Sequence, residues 1–126
     1  MRTIELLAGV KFNEKQPHAQ SLHSNKDARA LRFAFLPGQS IKAHDAPHSP
    51  VHLMILQGKG VFTSQDGVER ECGPGMMIIF DAGETHTVRA LEEDLVYVSI
   101  YNGVPTTSES EHRKMVEAEE LDHPHD

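Results

Sequence analysis

Gly38-Gln-Ser-Ile-Lys-Ala-His44 and Gly75-Met-Met-Ile-Ile-Phe-Asp-Ala-Gly83-Glu-Thr-His86 carry most of the structural information in this chain. Each sets a glycine turn, then five or more residues of extended backbone, then a histidine. Between them, Val51-His-Leu-Met-Ile-Leu-Gln57 is an apolar strand that Gly58 and Gly60 close in a turn. Upstream, Leu31, Phe33 and Phe35 alternate with Arg32 and Ala34, a period of two that gives one apolar face. Pro37-Gly38 ends that run.

The rhythm continues in both directions. Extended runs are predicted at Ile41–His44, Val51–Gln57, Val61–Ser64, Val68–Cys72, Met76–Phe80, Thr85–Ala90 and Leu95–Tyr101, separated by glycine turns. Asp66-Gly67 reads as a two-residue hairpin turn, because both residues tolerate positive φ. Short strands without interleaved helices predict an antiparallel sandwich or barrel rather than a βαβ sheet. Near the N-terminus, Leu6-Leu-Ala-Gly-Val-Lys-Phe12 reads as an edge strand, followed by a polar loop. Ser108-Glu-Ser-Glu111 reads as a capping box opening a helix to about Leu121, with Met115, Val116 and Leu121 as its thin apolar face. The chain thus divides into an N-terminal segment (1–28), a barrel (29–104) and a C-terminal helix with a frayed tail (105–126).

Composition narrows the function classes. At 126 residues the chain fits one domain, able to bury roughly two thirds of its unfolded surface. The net charge is −7 with no basic cluster, which disfavours nucleic-acid and anionic-membrane partners. No apolar stretch is long enough to span a bilayer, and Cys72 is the sole cysteine, so a reducing cytoplasmic setting is expected. Of the nine histidines, His18, His23, His112, His123 and His125 lie in polar stretches.

The paired motifs resemble those of the cupin superfamily, small β-barrels of the jelly-roll type. Gly38, His44 and Gly58 match the first cupin motif at the family spacing, and Gly75, Gly83 and His86 match the second. The resemblance covers roughly residues 30 to 101. It implies an all-β antiparallel barrel, a divalent metal inside it on these histidines, and pairing as a homodimer. The departures are specific: Ala46 stands at the family's second histidine, Val51 at its glutamate, Asp81 at the proline and Ala90 at the asparagine. Two neutral imidazoles alone hold most divalent ions poorly.

His48 and His52, four and eight residues after His44, are candidates to complete the shell. Pro47 and Pro50 interrupt that run, so spacing alone does not aim these rings. On plain alternation His52 falls on the face of Met54 and Leu56, opposite Val51, Leu53 and Ile55. The expectation is a divalent transition metal (Zn, Ni, Fe or Cu) on His44, His86 and one or both of His48 and His52. The alternative is a metal-free barrel in which His44 and His86 bind a small organic molecule. If the protein is an enzyme, dioxygen-dependent cleavage on Fe(II) is the first choice, with an isomerase-type cupin reaction as another. Cys72 reads as a passive thiol, Asp81 and Glu84 as solvated loop carboxylates, and Met54, Met76 and Met77 as core filler. Tyr97 and Tyr101 share a face with Ser99, inward or outward.

Overall fold

A computed structural model describes residues 1–42 and 48–102 of the chain. His44 and Ala46, and the capping box and helix expected from Ser108 to Leu121, lie outside the described residues. Nine strands make up the described fold: β1 (His18–Ser24), β2 (Ala28–Phe35), β3 (Ser40–Lys42), β4 (Val51–Gln57), β5 (Gly60–Ser64), β6 (Glu69–Cys72), β7 (Met77–Phe80), β8 (His86–Ala90) and β9 (Leu95–Asn102). They form two antiparallel sheets, ordered β1-β2-β9-β4-β7 and β3-β8-β5-β6. Among the described residues no helix is long and apolar enough to cross a membrane.

The alternation in the sequence becomes the inner face. Leu31, Phe33 and Phe35 of β2 meet Ser99, Tyr97 and Leu95 of β9 in register, and Val51, Leu53 and Ile55 of β4 join the same core. From the other sheet come Phe62, Val88 and Ala90. Tyr97 ties the layers together, with its ring centroid 5.2 Å from Phe33 and 6.1 Å from Phe62. Both tyrosines therefore point inward, and burial pushes the Tyr97 phenol well above its usual pKa. Side chains as enclosed as Phe35, Leu53 and Leu95 each contribute about 1.5–3 kcal/mol by leaving water.

Two turns differ from expectation. Leu6–Gly9 is a turn, and the edge strand of the N-terminal segment is the polar run His18–Ser24. The cause is Arg32, on the outer face of β2 and only 3% exposed. Its guanidinium donates to the carbonyls of Leu6 (3.0 Å), Ala8 (2.9 Å) and Gly9 (3.2 Å), and to Gln20 Oε1 (2.6 Å). The segment is thus held across the sheet as a turn whose carbonyls satisfy a buried cation. In the β5–β6 hairpin the last paired residues are Thr63 and Glu69, so the connection is longer than two residues. Gly67 has positive φ as expected, but its N–H closes a turn on the Ser64 carbonyl. The Asp66 carboxylate accepts from the Val68 N–H and pairs with Arg70, widening the loop.

Gly58 is required by space as well as by φ (+77°). A Cβ there would overlap the Asp94 carbonyl, so the β4–β5 turn and the entry to β9 pack backbone to backbone.

Candidate functional site

His86 opens β8, on the same side as the buried Val88 and Ala90, while Arg89 between them is exposed. Its imidazole therefore enters the space between the sheets. There it lies on the Phe80 ring, centroids 3.9 Å apart and planes inclined by 10°. Its Nδ1 is buried and has no hydrogen-bond partner among the described residues. Burial holds the His86 pKa below the ordinary histidine value, outweighing the opposing influence of the Glu84 backbone and carboxylate. A neutral imidazole with one uncommitted nitrogen can accept or donate a hydrogen bond or ligate a metal.

The turn that delivers His86 is built by Glu84. Its amide closes on the Asp81 carbonyl at 3.0 Å, its Oε1 accepts from the Asp81 N–H at 2.9 Å, and its Oε2 accepts from the Ser64 hydroxyl. Ser64 is itself the strand partner of His86. The hydrogen bond from Ser64, then that from Asp81, lowers the Glu84 pKa. Glu84, read from sequence as a solvated loop carboxylate, thus locks the β7–β8 turn to the end of β5.

The register extends this end of the interior across the larger sheet. Arg29 of β2 pairs with Tyr101 of β9. The pairing of His52 with Ile100 brings Val51 level with Tyr101, and Val51 pairs with Phe80 of β7. Arg29, Tyr101, Val51 and Phe80 are all buried and share the inner face. One layer therefore runs from the Arg29 guanidinium to Phe80 and on to the His86 ring. Sequence reasoning missed Arg29, although its two-residue spacing from Leu31, Phe33 and Phe35 places it on the inner face. Ser64 and Phe80 were missed as site residues as well, because only the fold brings them to His86.

The other candidate ligands are less convergent. His52 is exposed on the opposite side of β4 from Val51, Leu53 and Ile55, as plain alternation predicts, so it does not join His86. His48 is exposed, and the neighbouring Ser49 is buried. Lys42, two residues before His44, pairs with Thr87, one residue after His86. Val51 brings an apolar wall to the interior at the position where the resemblance expects a carboxylate. Among the described residues there is no group of three or more His, Cys, Asp or Glu side chains that could hold a metal ion. The described residues do not by themselves complete a shell for a divalent cation.

A cleft of about 390 Å³ opens between β6 and β7, the edge strands of the two sheets. Phe62, Met76 and Phe80 line it together with Ser64, Glu84 and Arg70. Cys72 borders it too, as a buried thiol whose pKa is raised, chiefly by burial. That environment fits the passive role expected for it.

A family model described as the cupin domain matches residues 31–101. The chain belongs to the cupin family. No curated protein matches it. Among solved structures, the cupin is similar to TT1209 from Thermus thermophilus, with 23% identity, 83% of this chain and 100% of that chain covered, and a TM-score of 0.76. An RmlC-like cupin protein from Desulfovibrio desulfuricans shares 22% identity over 82% of this chain and 99% of that chain, with a TM-score of 0.73. The DMSP lyase DddQ from Ruegeria pomeroyi DSS-3 shares 16% identity over 70% of this chain and 47% of that chain, with a TM-score of 0.63. At these identities the likeness is one of fold, and a cupin fold by itself specifies no reaction.

Proposed function

We propose that the protein is a small-molecule-binding cupin whose ligand occupies the interior beside His86. The observation that carries this reading is the buried, unpartnered Nδ1 of an inward-facing, neutral imidazole. A buried polar atom left unsatisfied costs about 1–3 kcal/mol, and a ligand hydrogen bond relieves that cost. The Lys42–Thr87 pairing supports a second contribution from His44, whose segment follows directly from β3. Val51 and Phe80 supply apolar walls, as small-molecule sites generally require.

A divalent transition metal (Zn, Ni, Fe or Cu) on His44, His86 and His48 is the second reading. The same free nitrogen favours it, and the incomplete shell among the described residues counts against it. With Fe(II), such a centre would supply dioxygen chemistry. A single comparison separates the two readings. Untagged protein is analysed for metals, then its thermal unfolding is followed with metal ions and with organic ligands. Stabilisation by organic ligands, with less than about a tenth of an equivalent of metal, supports the first reading. A stoichiometric metal whose removal lowers the midpoint supports the second.

A homodimer belongs to the same proposal. Met77 and Ile79 are each 56% exposed and Ile100 is 37% exposed. Ile79 and Ile100 flank His52 from either side in register, forming an apolar strip that a second copy would cover.

A further inference from the structure

We propose that the cleft between β6 and β7 binds a small, uncharged, largely apolar molecule. This goes beyond the reading of His86. The cleft and the surroundings of His86 meet at Phe80: the imidazole covers one face of that ring, and the rest of the ring borders the cleft. Residue parity builds the floor. Ile78 and Phe80 pack on the core from β7, and Met76 continues their alternation just before the strand. From the other sheet come Phe62 of β5 and Cys72 of β6. Because β6 and β7 each end their sheet, the apolar interior opens sideways between them. At about 390 Å³ the space lies at the small end of the range for ligand sites.

The chemistry of the wall selects the ligand. The polar groups at its rim are engaged with one another. Arg70, the strand partner of Phe62, pairs with the Asp66 carboxylate at 3.1 Å, and Asp66 also accepts from the Val68 N–H. Glu84 accepts from the Ser64 hydroxyl and the Asp81 N–H. Burial raises the Cys72 pKa, so the thiol stays protonated and presents a neutral, polarisable surface. The resource left for a ligand is apolar area. Met76 is 46% exposed, and the Gly73 N–H donates to its Sδ at 3.3 Å, which holds the thioether at the β6–β7 turn. A neutral molecule gains by taking Met76 and the floor out of water, by about fourfold in affinity per buried methylene. A charge of either sign meets a like one here: an anion faces Asp66 and Glu84, a cation faces Arg70. Each would also lose hydration beside the apolar floor.

The test uses 2-phenylethanol on the full chain carrying methyl-labelled methionine, with phenylacetate and 2-phenylethylamine as charged counterparts. The Met76 methyl, assigned by its loss in Met76→Leu, reports the cleft. The Met77 methyl, on the outer face of β7, reports the neighbouring surface, and the His86 imidazole resonances report the interior. The expected result is a saturable ring-current shift at Met76, larger than at Met77 and not weakened by sodium chloride. The longer 3-phenylpropanol should bind about threefold or more tightly than 2-phenylethanol, and both charged counterparts about threefold or more weakly. Met76→Gln, at a half-exposed position that spares the core, should weaken 2-phenylethanol by about threefold or more, read by titration calorimetry. Val68→Gln, elsewhere on the hairpin, should leave it unchanged. Tighter binding of either charged counterpart assigns recognition to the rim charges and overturns the neutral class. Equal shifts at Met76 and Met77, or shifts that grow with protein concentration alone, show a surface contact and overturn the site. If Met76 stays unmoved while an organic ligand moves the His86 resonances, the cleft assignment falls and the interior site stands. Movement of Met76 with His86 unmoved supports the cleft by itself.

Discussion

The imidazole of His86 lies nearly parallel to the Phe80 ring, 3.9 Å between centroids, with the two residues anchored in different sheets. One contact therefore joins the sheets at the His86 end of the interior, and it also keeps water from the imidazole. Replacing Phe80 by alanine should cost about 3 kcal/mol of stability, since a phenylalanine 4% exposed is lost from the core. It should also move the His86 titration up toward the ordinary histidine range as solvent enters. Denaturant unfolding and histidine NMR titration check the two effects separately.

The pH dependence of stability follows from the same burial. His86 titrates lower in the folded protein than its ordinary value of 6.5, so below that value the unfolded chain binds more protons. Stability from this group is complete above about pH 6.5 and declines as the pH falls toward the folded pKa. Glu84, lowered from 4.5, adds to the loss only below that pH. Unfolding free energies measured between pH 7.5 and 5 should fall for the natural chain and fall less steeply for His86→Gln. Identical slopes would show that His86 titrates alike in both states.

Gly58→Ala should be severe for its size. The new methyl would overlap the Asp94 carbonyl while forcing a left-handed backbone on alanine. A loss of about 2 kcal/mol or more is expected, read as a lower denaturant midpoint. Gly38→Ala has an open surround at a similar φ and serves as the control, with only the conformational cost of about 1 kcal/mol.

Arg32 should matter to residues far from it in sequence. Arg32→Ala removes four donor contacts to the Leu6–Gly9 turn and Gln20, costing about 2 kcal/mol. It should also expose the first residues to protease and raise amide exchange along β2. Deletion of residues 1–9 should destabilise similarly, because the buried guanidinium then loses three of its acceptors.

The outer apolar strip gives a prediction about assembly. Ile79→Lys places a charge amid Met77 and Ile100 without touching the core, and should shift sedimentation from dimer to monomer with little change in fold. A monomeric natural chain at micromolar concentration would contradict the pairing.

Strands whose one face is buried were the most legible part of the sequence. Val51–Gln57 has the expected limits, and β5 to β9 differ from expectation by a residue or so at an end. There the alternation and the glycine turns agree with the packing. The edge strand at residues 18–24 escaped notice because only one of its sides is paired, so His18, Gln20 and His23 need no apolar pattern. Leu6 and Leu7 suggested a strand by composition, but the acceptors sought by Arg32 made them a turn. His86 was legible as inward-facing because parity with Val88 and Ala90 is unbroken. The parity of Arg29 was equally unbroken, but a charged residue on a core face is easily read as a strand end. The Phe80 stack and the Ser64–Glu84 link depend on the crossing of two sheets, which no local spacing encodes.

The placement of β9 has a consequence for biosynthesis. Leu95–Asn102 sits between β2 and β4 in the larger sheet, although it is the last of the nine strands to leave the ribosome. Hairpins such as β1–β2 and β5–β6 can zip up on the nascent chain, yet the halves of the larger sheet stay apart until residue 102 emerges. Their apolar faces await one late insertion, so maturation should be slow and dominated by long-range closure, and truncations within β9 should yield chaperone-bound chains rather than smaller folded domains.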